Sequence, residues 1–300
     1  PAFPKARVGV LFSGGLDCTV LALLADKFLP PEESIDLLNV AFENPRSLAN
    51  AAKSKAPIVT SNDIYNTPDR LTGLATAKIL ASIRPHRQWN FVRVNVPYQE
   101  FLDKRSHLIQ LMQPNNTIMD LSIAQALYFA AKGTGVLQRD GSAEPYQSEA
   151  KVLLSGLGAD EQLGGYSRHK KAFGSTKDME DPAKADKWGA LVTELQMDLD
   201  RINSRNLGRD DRIISSLGKE VRYPYLAGHV VAYLASLPVH LKVDYRFGDG
   251  VGDKMLLRAL ARQLGLRESA FLAKRAIQFG ARSAKMELDS RDLKGDGLLA

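Results

Sequence analysis

Two short glycine-rich turns carry the residues of this sequence best suited to chemistry. The first is Ser13-Gly14-Gly15-Leu16-Asp17, set between an apolar β run, Arg7–Phe12 (RVGVLF), and a helical pattern over Asp17–Phe28. Gly14 and Gly15 allow positive φ and a close approach of backbone to ligand. The helix that follows points free N–H groups and its positive dipole end at the same spot. Ser13 adds a hydroxyl, and Asp17 adds a carboxylate of the kind Mg2+ accepts. The pentapeptide reads as an anion cradle with a metal ligand built in; the plainer reading is a tight strand–helix turn whose acid complements the dipole. No Gly-Lys-Ser/Thr follows, so it is not a Walker loop.

The second turn runs from Ser155-Gly156-Leu157-Gly158-Ala159-Asp160-Glu161 to Gly164-Gly165-Tyr166, directly after the strand-like Lys151–Leu154 (KVLL). Glu161 stands where a dinucleotide fingerprint needs its third glycine, and no Gly-x-Ser-x-Gly elbow occurs here. What remains is a glycine turn bearing Asp160 and Glu161 at the carboxyl end of a strand. In a doubly wound sheet both turns would meet at that edge, where Asp17 and Asp160 could hold one Mg2+ between them.

Elements able to position these turns follow in alternation. Ile35–Phe42 (IDLLNVAF) and Trp89–Val96 (WNFVRVNV) read as strands, and a helix opens at Pro68 with Leu71, Leu74, Ile79 and Ile83 on one face. Two more helices are expected over 98–112 and 119–132, and residues 43–67 read as a long loop. Past residue 172 strand signals fade, 174–185 reads as a polar surface loop, and Leu191, Leu195, Leu199 and Ile202 mark a helix, as do Val230, Val231 and Leu234, and Met255, Leu256, Ala259 and Leu260. The expected fold class is α/β. A parallel-sheet part over 5–172 is followed by a mainly helical part over 173–300.

Composition narrows the class. At 300 residues, 44% hydrophobic and 25% charged, the chain is ordinary for a globular protein, which excludes disorder and fibrous classes. One cysteine excludes a disulfide framework and any all-cysteine metal site, and fits a reducing cytosol. No apolar stretch reaches the roughly 20 residues a membrane helix needs. The net charge of +6 is scattered rather than striped, which favours a solvated surface and a pocket for an anionic substrate over nucleic acid. The histidines 86, 107, 169, 229 and 240 show no metal spacing and read as structural or surface residues. Pro1 in place of Met reads as the start of a trimmed chain with an upstream segment expected.

The two turns, in order with Asp211-Arg212 through Glu220-Val221-Arg222-Tyr223-Pro224-Tyr225-Leu226 and with Gly252-Asp253-Lys254-Met255-Leu256-Leu257-Arg258, resemble the ATP-pyrophosphatase domain of the asparagine synthetase family. Asn39-Val40-Ala41-Phe42, Pro68-Asp69-Arg70, Gly165–His169 and Ser204–Asp211 resemble the family's divergent branch of domain-containing proteins. The resemblance implies a single synthetase domain over 1–300 with an adenine nucleotide alpha hydrolase-like core. Its implied activity is adenylation of the aspartate side-chain carboxylate by ATP, release of pyrophosphate, and attack of ammonia to give asparagine.

Residue by residue, the resemblance implies that Ser13, Gly14, Gly15 and Cys18 line the pyrophosphate and that Asp17 and Asp160 position Mg2+. Val40 and Ala41 would meet the adenine, and Ser155 and Gly156 the nucleotide and acyl-adenylate. Lys254 matches the lysine that steadies charge on the α-phosphate, and Lys274-Arg275 resemble a basic pair near the phosphates. Two departures stand out. Leu157 occupies the place of a glutamate assigned to ammonia attack, and leucine can move no proton; this opens the alternative of an impaired nucleotide- or partner-binding module. Cys18 lies where the family has serine and reads as a support of the turn, so the family's N-terminal glutaminase nucleophile is absent from this chain. Ammonia would then come from an upstream glutaminase domain or from solution. Implied partners are small molecules (aspartate, ATP, ammonia), with neither membrane nor nucleic acid.

Overall fold

In the computed structural model, described for residues 6–44, 64–139, 142–174, 186–287 and 297–299, seven strands form one sheet. They are β1 (Val8–Leu11), β2 (Ile35–Phe42), β3 (Trp89–Val96), β4 (Thr134–Arg139), β5 (Ser142–Gln147), β6 (Val152–Leu154) and β7 (Glu220–Arg222). Their spatial order is β5-β4-β3-β2-β1-β6-β7. β1, β2, β3, β6 and β7 run parallel, while β4 and β5 join antiparallel.

The parallel strands are short apolar runs covered on both faces, as such sheets require. β2 is buried along its whole length and keeps register with β3 from Ile35↔Trp89 to Phe42↔Val96. On one face lie α1 (Leu16–Phe28) and α2 (Pro68–Ile83), which bury Val20, Leu21, Leu23 and Leu80. On the other lie α3 (Tyr98–Met112) and α4 (Ile118–Lys132), which bury Phe101, Leu108, Leu121 and Phe129. α2 starts where expected: Thr67 caps it by accepting from the Arg70 N–H at 3.2 Å, and Pro68 follows at the position that needs no N–H donor.

The structure differs from the sequence reading in the sheet. Lys151–Leu154 gives the sixth strand in chain order, and β6 sits centrally beside β1. The β4–β5 hairpin was unforeseen because β5 (SAEPYQ) is an exposed edge strand with no apolar alternation. β7 was missed because three residues carry no period. The stretches 45–63 and 175–185 of the two expected loops lie outside the described residues.

The back part is helical: α5 (Ala159–Leu163), α6 (Ser167–Phe173), α7 (Lys187–Ile202), α8 (Gly208–Ser215), α9 (Gly228–Ser236), α10 (Val239–Lys242), α11 (Met255–Gln263) and α12 (Ile277–Gly280). Between α7 and α8 the chain makes a π-helical turn over Asn203–Leu207. No helix among the described residues is long and apolar enough to cross a membrane.

Candidate functional site

Because β6 lies beside β1, the turns that follow these two strands meet at the carboxyl edge of the sheet, the usual ligand crevice of such folds. A cavity of about 410 Å3 opens there. Ser13, Gly15, Asp17, Cys18, Val40, Ser155, Gly156, Leu157, Asp160, Lys254, Lys274 and Arg275 all line it.

The first turn is built as a strand-to-helix corner. Gly14 takes φ +81, and a Cβ there would fall 2.4 Å from the Gly73 backbone, so α2 packs directly on the turn. Gly14 thus lies beneath the cavity wall rather than on it. Gly15, expected at positive φ, is extended (φ −68, ψ 171) and serves as the N-cap of α1. Its carbonyl accepts from the Thr19 N–H at 3.1 Å and the Thr19 hydroxyl at 2.7 Å. The Cys18 thiol points to the same carbonyl at 3.3 Å and lies 3.5 Å from Ser13 Oγ. Burial pushes that thiol's pKa up, the opposite of an activated thiolate, so Cys18 braces the turn.

The second turn is held by its own acids and by the third sequence motif. Glu161 accepts from the Gly158 N–H at 3.0 Å and from the Tyr166 hydroxyl at 2.6 Å, which absorbs both carboxylate oxygens in structure. β7 pairs with β6, the Ser155 N–H donates to Arg222 O, and the Tyr225 hydroxyl reaches across to Asp17 O at 3.0 Å. Arg212 donates to the carbonyls of Leu111 and Met112, tying α8 to α3.

At the centre stands Lys254. Its side chain is 3% exposed, and Nζ lies 2.7 and 2.6 Å from the Asp17 carboxylate oxygens and 2.7 Å from Asp160 Oδ1. Lys274 Nζ donates to Asp160 Oδ2 at 2.6 Å. Lys254 begins α11 in the left-handed region (φ 51), a conformation unfavourable for a residue with a Cβ, and its N–H donates to Leu163 O at 2.9 Å. Gly165 makes room for this packing, since a Cβ there would fall 1.8 Å from Asp160 Oδ1 and 2.4 Å from Lys254 Cε.

Electrostatics follow from the geometry. Burial opposes ionisation of Asp160, but Lys254 and Lys274 outweigh it and hold that carboxyl well below the usual range. Burial raises the Asp17 carboxyl; Lys254 opposes this and the negative Asp160 adds to it. Lys254 is discharged by burial and recharged more strongly by Asp160 and Asp17, so it remains an ammonium. Asp17 and Asp160 therefore converge on one cation, and their oxygens suit a hard divalent ion held jointly with phosphates. No group of three or more potential metal-binding side chains gathers among the described residues.

The β2 edge offers main-chain groups. The Phe12 N–H donates to Leu38 O at 2.9 Å and the Phe42 N–H to Ala281 O at 3.0 Å. Alternate residues of a strand face the same side, so Val40 turns its N–H and C=O into the gap beyond the end of β1. Ala41 faces β3 instead, is fully buried, and does not line the cavity.

The far wall comes from α4 and from the Ser204–Asp211 segment. Arg209, 2% exposed, pairs with Asp120 at 2.7 Å and Asp210 at 2.8 Å, and the π-helical turn places Arg205 and Asn206 on the cavity. Their signal was present in Ser204–Asp211, where four charges sit within eight residues. His169 is buried off the cavity: Nδ1 accepts weakly from the Tyr166 N–H at 3.4 Å, and Nε2 meets Asp198 Oδ2 at 2.7 Å.

The model of the family described as asparagine synthase matches residues 143–296, the half of the chain that holds the second turn and Lys254. The chain belongs to the asparagine synthase family. It is 45% identical over 302 residues to asparagine synthetase domain-containing protein 1 of Mus musculus, covering 94% of this chain and 47% of the mouse protein. An asparagine synthetase domain-containing protein of Drosophila melanogaster is 40% identical over 95% of this chain and 46% of its own length. One from Saccharomyces cerevisiae is 40% identical over 95% of this chain and 49% of its own length. The chain thus spans about half the length of the curated relatives it matches. Within the family fold, Leu157 remains an apolar residue on the cavity wall, its N–H donating to Ser155 Oγ at 3.3 Å.

Proposed function

We propose that this cavity activates a carboxylate with ATP, and the observation that carries the reading is the single ammonium of Lys254 held between acids from both glycine turns. Ser13, Gly15 and the start of α1 receive the terminal phosphates. Val40 presents its main chain to the adenine, and Ser155 and Gly156 line the α-phosphate. A substrate carboxylate oxygen attacks the α-phosphorus, the bond to the β-phosphate breaks, and pyrophosphate leaves with the electron pair. Lys254 and Lys274 offset the charge that builds up on the phosphates.

Asp17 and Asp160 are the residues that would hold Mg2+, which when bound supplies charge neutralisation and orients the triphosphate. In the finer form of the reading, the acid is the aspartate side chain and ammonia displaces AMP from its acyl-adenylate to give asparagine. The nitrogen source is a glutaminase domain or free ammonia. Leu157 supports a narrower second reading, in which the cavity binds or activates but does not amidate.

Acid-dependent exchange of labelled pyrophosphate into ATP tests activation, with aspartate as the first acid tried. Exchange without amide formation in wild type, and amide formation gained in Leu157→Glu, is the expected result if only the second half is weakened. Failure of every acid tried to drive exchange, with ATP still bound, would favour the binding module.

A further inference from the structure

The mechanism above leaves Asp69 unused. It sits in the first turn of α2, where its carbonyl accepts from Asn39 Nδ2 at 3.1 Å and is thereby fixed to the end of β2. Its side chain is 6% exposed and lies on the cavity wall with Val40 and Gln278. Oδ2 is buried without a hydrogen-bond partner among the described residues, and Arg275 Nη1 stands 3.6 Å from Oδ1, an ion-pair distance too long for a hydrogen bond. The carboxylate packs onto Gly280, where a Cβ would fall 2.0 Å from both oxygens. Burial lifts this carboxyl to about 7 against the pull of Arg275.

A buried acceptor is costly to the fold when nothing donates to it. A carboxylate accepts but does not donate, and it repels phosphate, so within an ATP molecule the group that can satisfy it is a donor of the nucleoside half. Asp69 lies on the β2 side of the cavity with Val40, whereas Asp17, Asp160 and Lys254 gather on the β1–β6 side.

We propose that Asp69 selects the nucleotide by accepting a hydrogen bond from the nucleoside half, from the adenine amine or a ribose hydroxyl. Gly280 belongs to the same device because only a residue without a side chain lets the carboxylate lie there. The proposal rests on the ATP reading above.

Calorimetric titration of the full chain with ATP, ITP, 2′-deoxyATP, 3′-deoxyATP and inorganic pyrophosphate, each with Mg2+, tests it. Asp69→Leu, which keeps the bulk and removes the acceptor, is expected to weaken ATP about tenfold or more and leave pyrophosphate unchanged. Gly280→Ala, which displaces the carboxylate without removing it, should act in the same direction and carries the test if Asp69→Leu does not fold. A wild-type preference for ATP over ITP that vanishes in the variants assigns the amine; a preference over a deoxynucleotide that vanishes assigns the hydroxyl. ATP binding within twofold of wild type in a folded variant overturns the proposal alone. An equal loss for pyrophosphate also overturns it, because the carboxylate then only steadies Arg275. Wild type that binds pyrophosphate but no nucleotide overturns the ATP reading, and the proposal with it.

Discussion

Lys254→Met is expected to lower acid-dependent pyrophosphate exchange by about 10²–10³-fold, the usual cost of removing one oriented charge or donor from a reacting phosphate or acyl group. The ammonium lies within 2.7 Å of acids from both turns, so its loss also leaves Asp17 facing Asp160 with only Lys274, bound to Asp160, as a neighbouring cation. Breaking a buried ion pair from one side costs about 3–5 kcal/mol, although a proton taken up by Asp17 would relieve part of it. Exchange must therefore be measured on folded protein, with the denaturation midpoint recorded in parallel. Lys254→Arg keeps the charge in a wider, planar group that Gly165 cannot seat in the same way. It should retain more stability than Lys254→Met and still exchange poorly. Full exchange in Lys254→Met would remove this lysine from the chemistry.

Arg209→Leu is expected to cost about 3–5 kcal/mol of stability, read as a lower denaturant midpoint at unchanged slope. The guanidinium ties α4 to α8 through Asp120 and Asp210, and Asp210 is itself buried. Removing the cation strands that carboxylate; pairing Arg209→Leu with Asp210→Leu should restore part of the loss. A change within about 0.5 kcal/mol, the range of an ordinary surface substitution, would mean that the pair contributes no net stability.

The front of the fold was legible because its signals are local. β2 is eight apolar-rich residues buried on both faces, and α2 announces itself through Thr67 and Pro68. The two glycine turns were legible for the same reason, since each is one contiguous stretch at a strand end. Lys254 was not: its partner Asp17 is 237 residues away, and only the long path through α5 and α11 brings the two together. Without the family resemblance, a lysine starting a helix would pass for a solvated one. Asp69 was hidden because its significance lies in one buried oxygen without a hydrogen bond among the described residues, which no sequence displays. The β4–β5 hairpin did leave a trace in Asp140-Gly141, a dipeptide common in tight hairpins, but the polar strand after it masked the period.

That hairpin decides how the sheet ends. β5 is exposed along most of its length, carries Glu144, and includes Pro145, which has no N–H to offer an incoming strand. At the opposite rim β7 is three residues long, with the Glu220–Arg222 ion pair on its surface. Among the described residues neither rim presents a continuous ladder for a second chain, which leaves strand-upon-strand polymerisation of crowded copies without a template at these two edges.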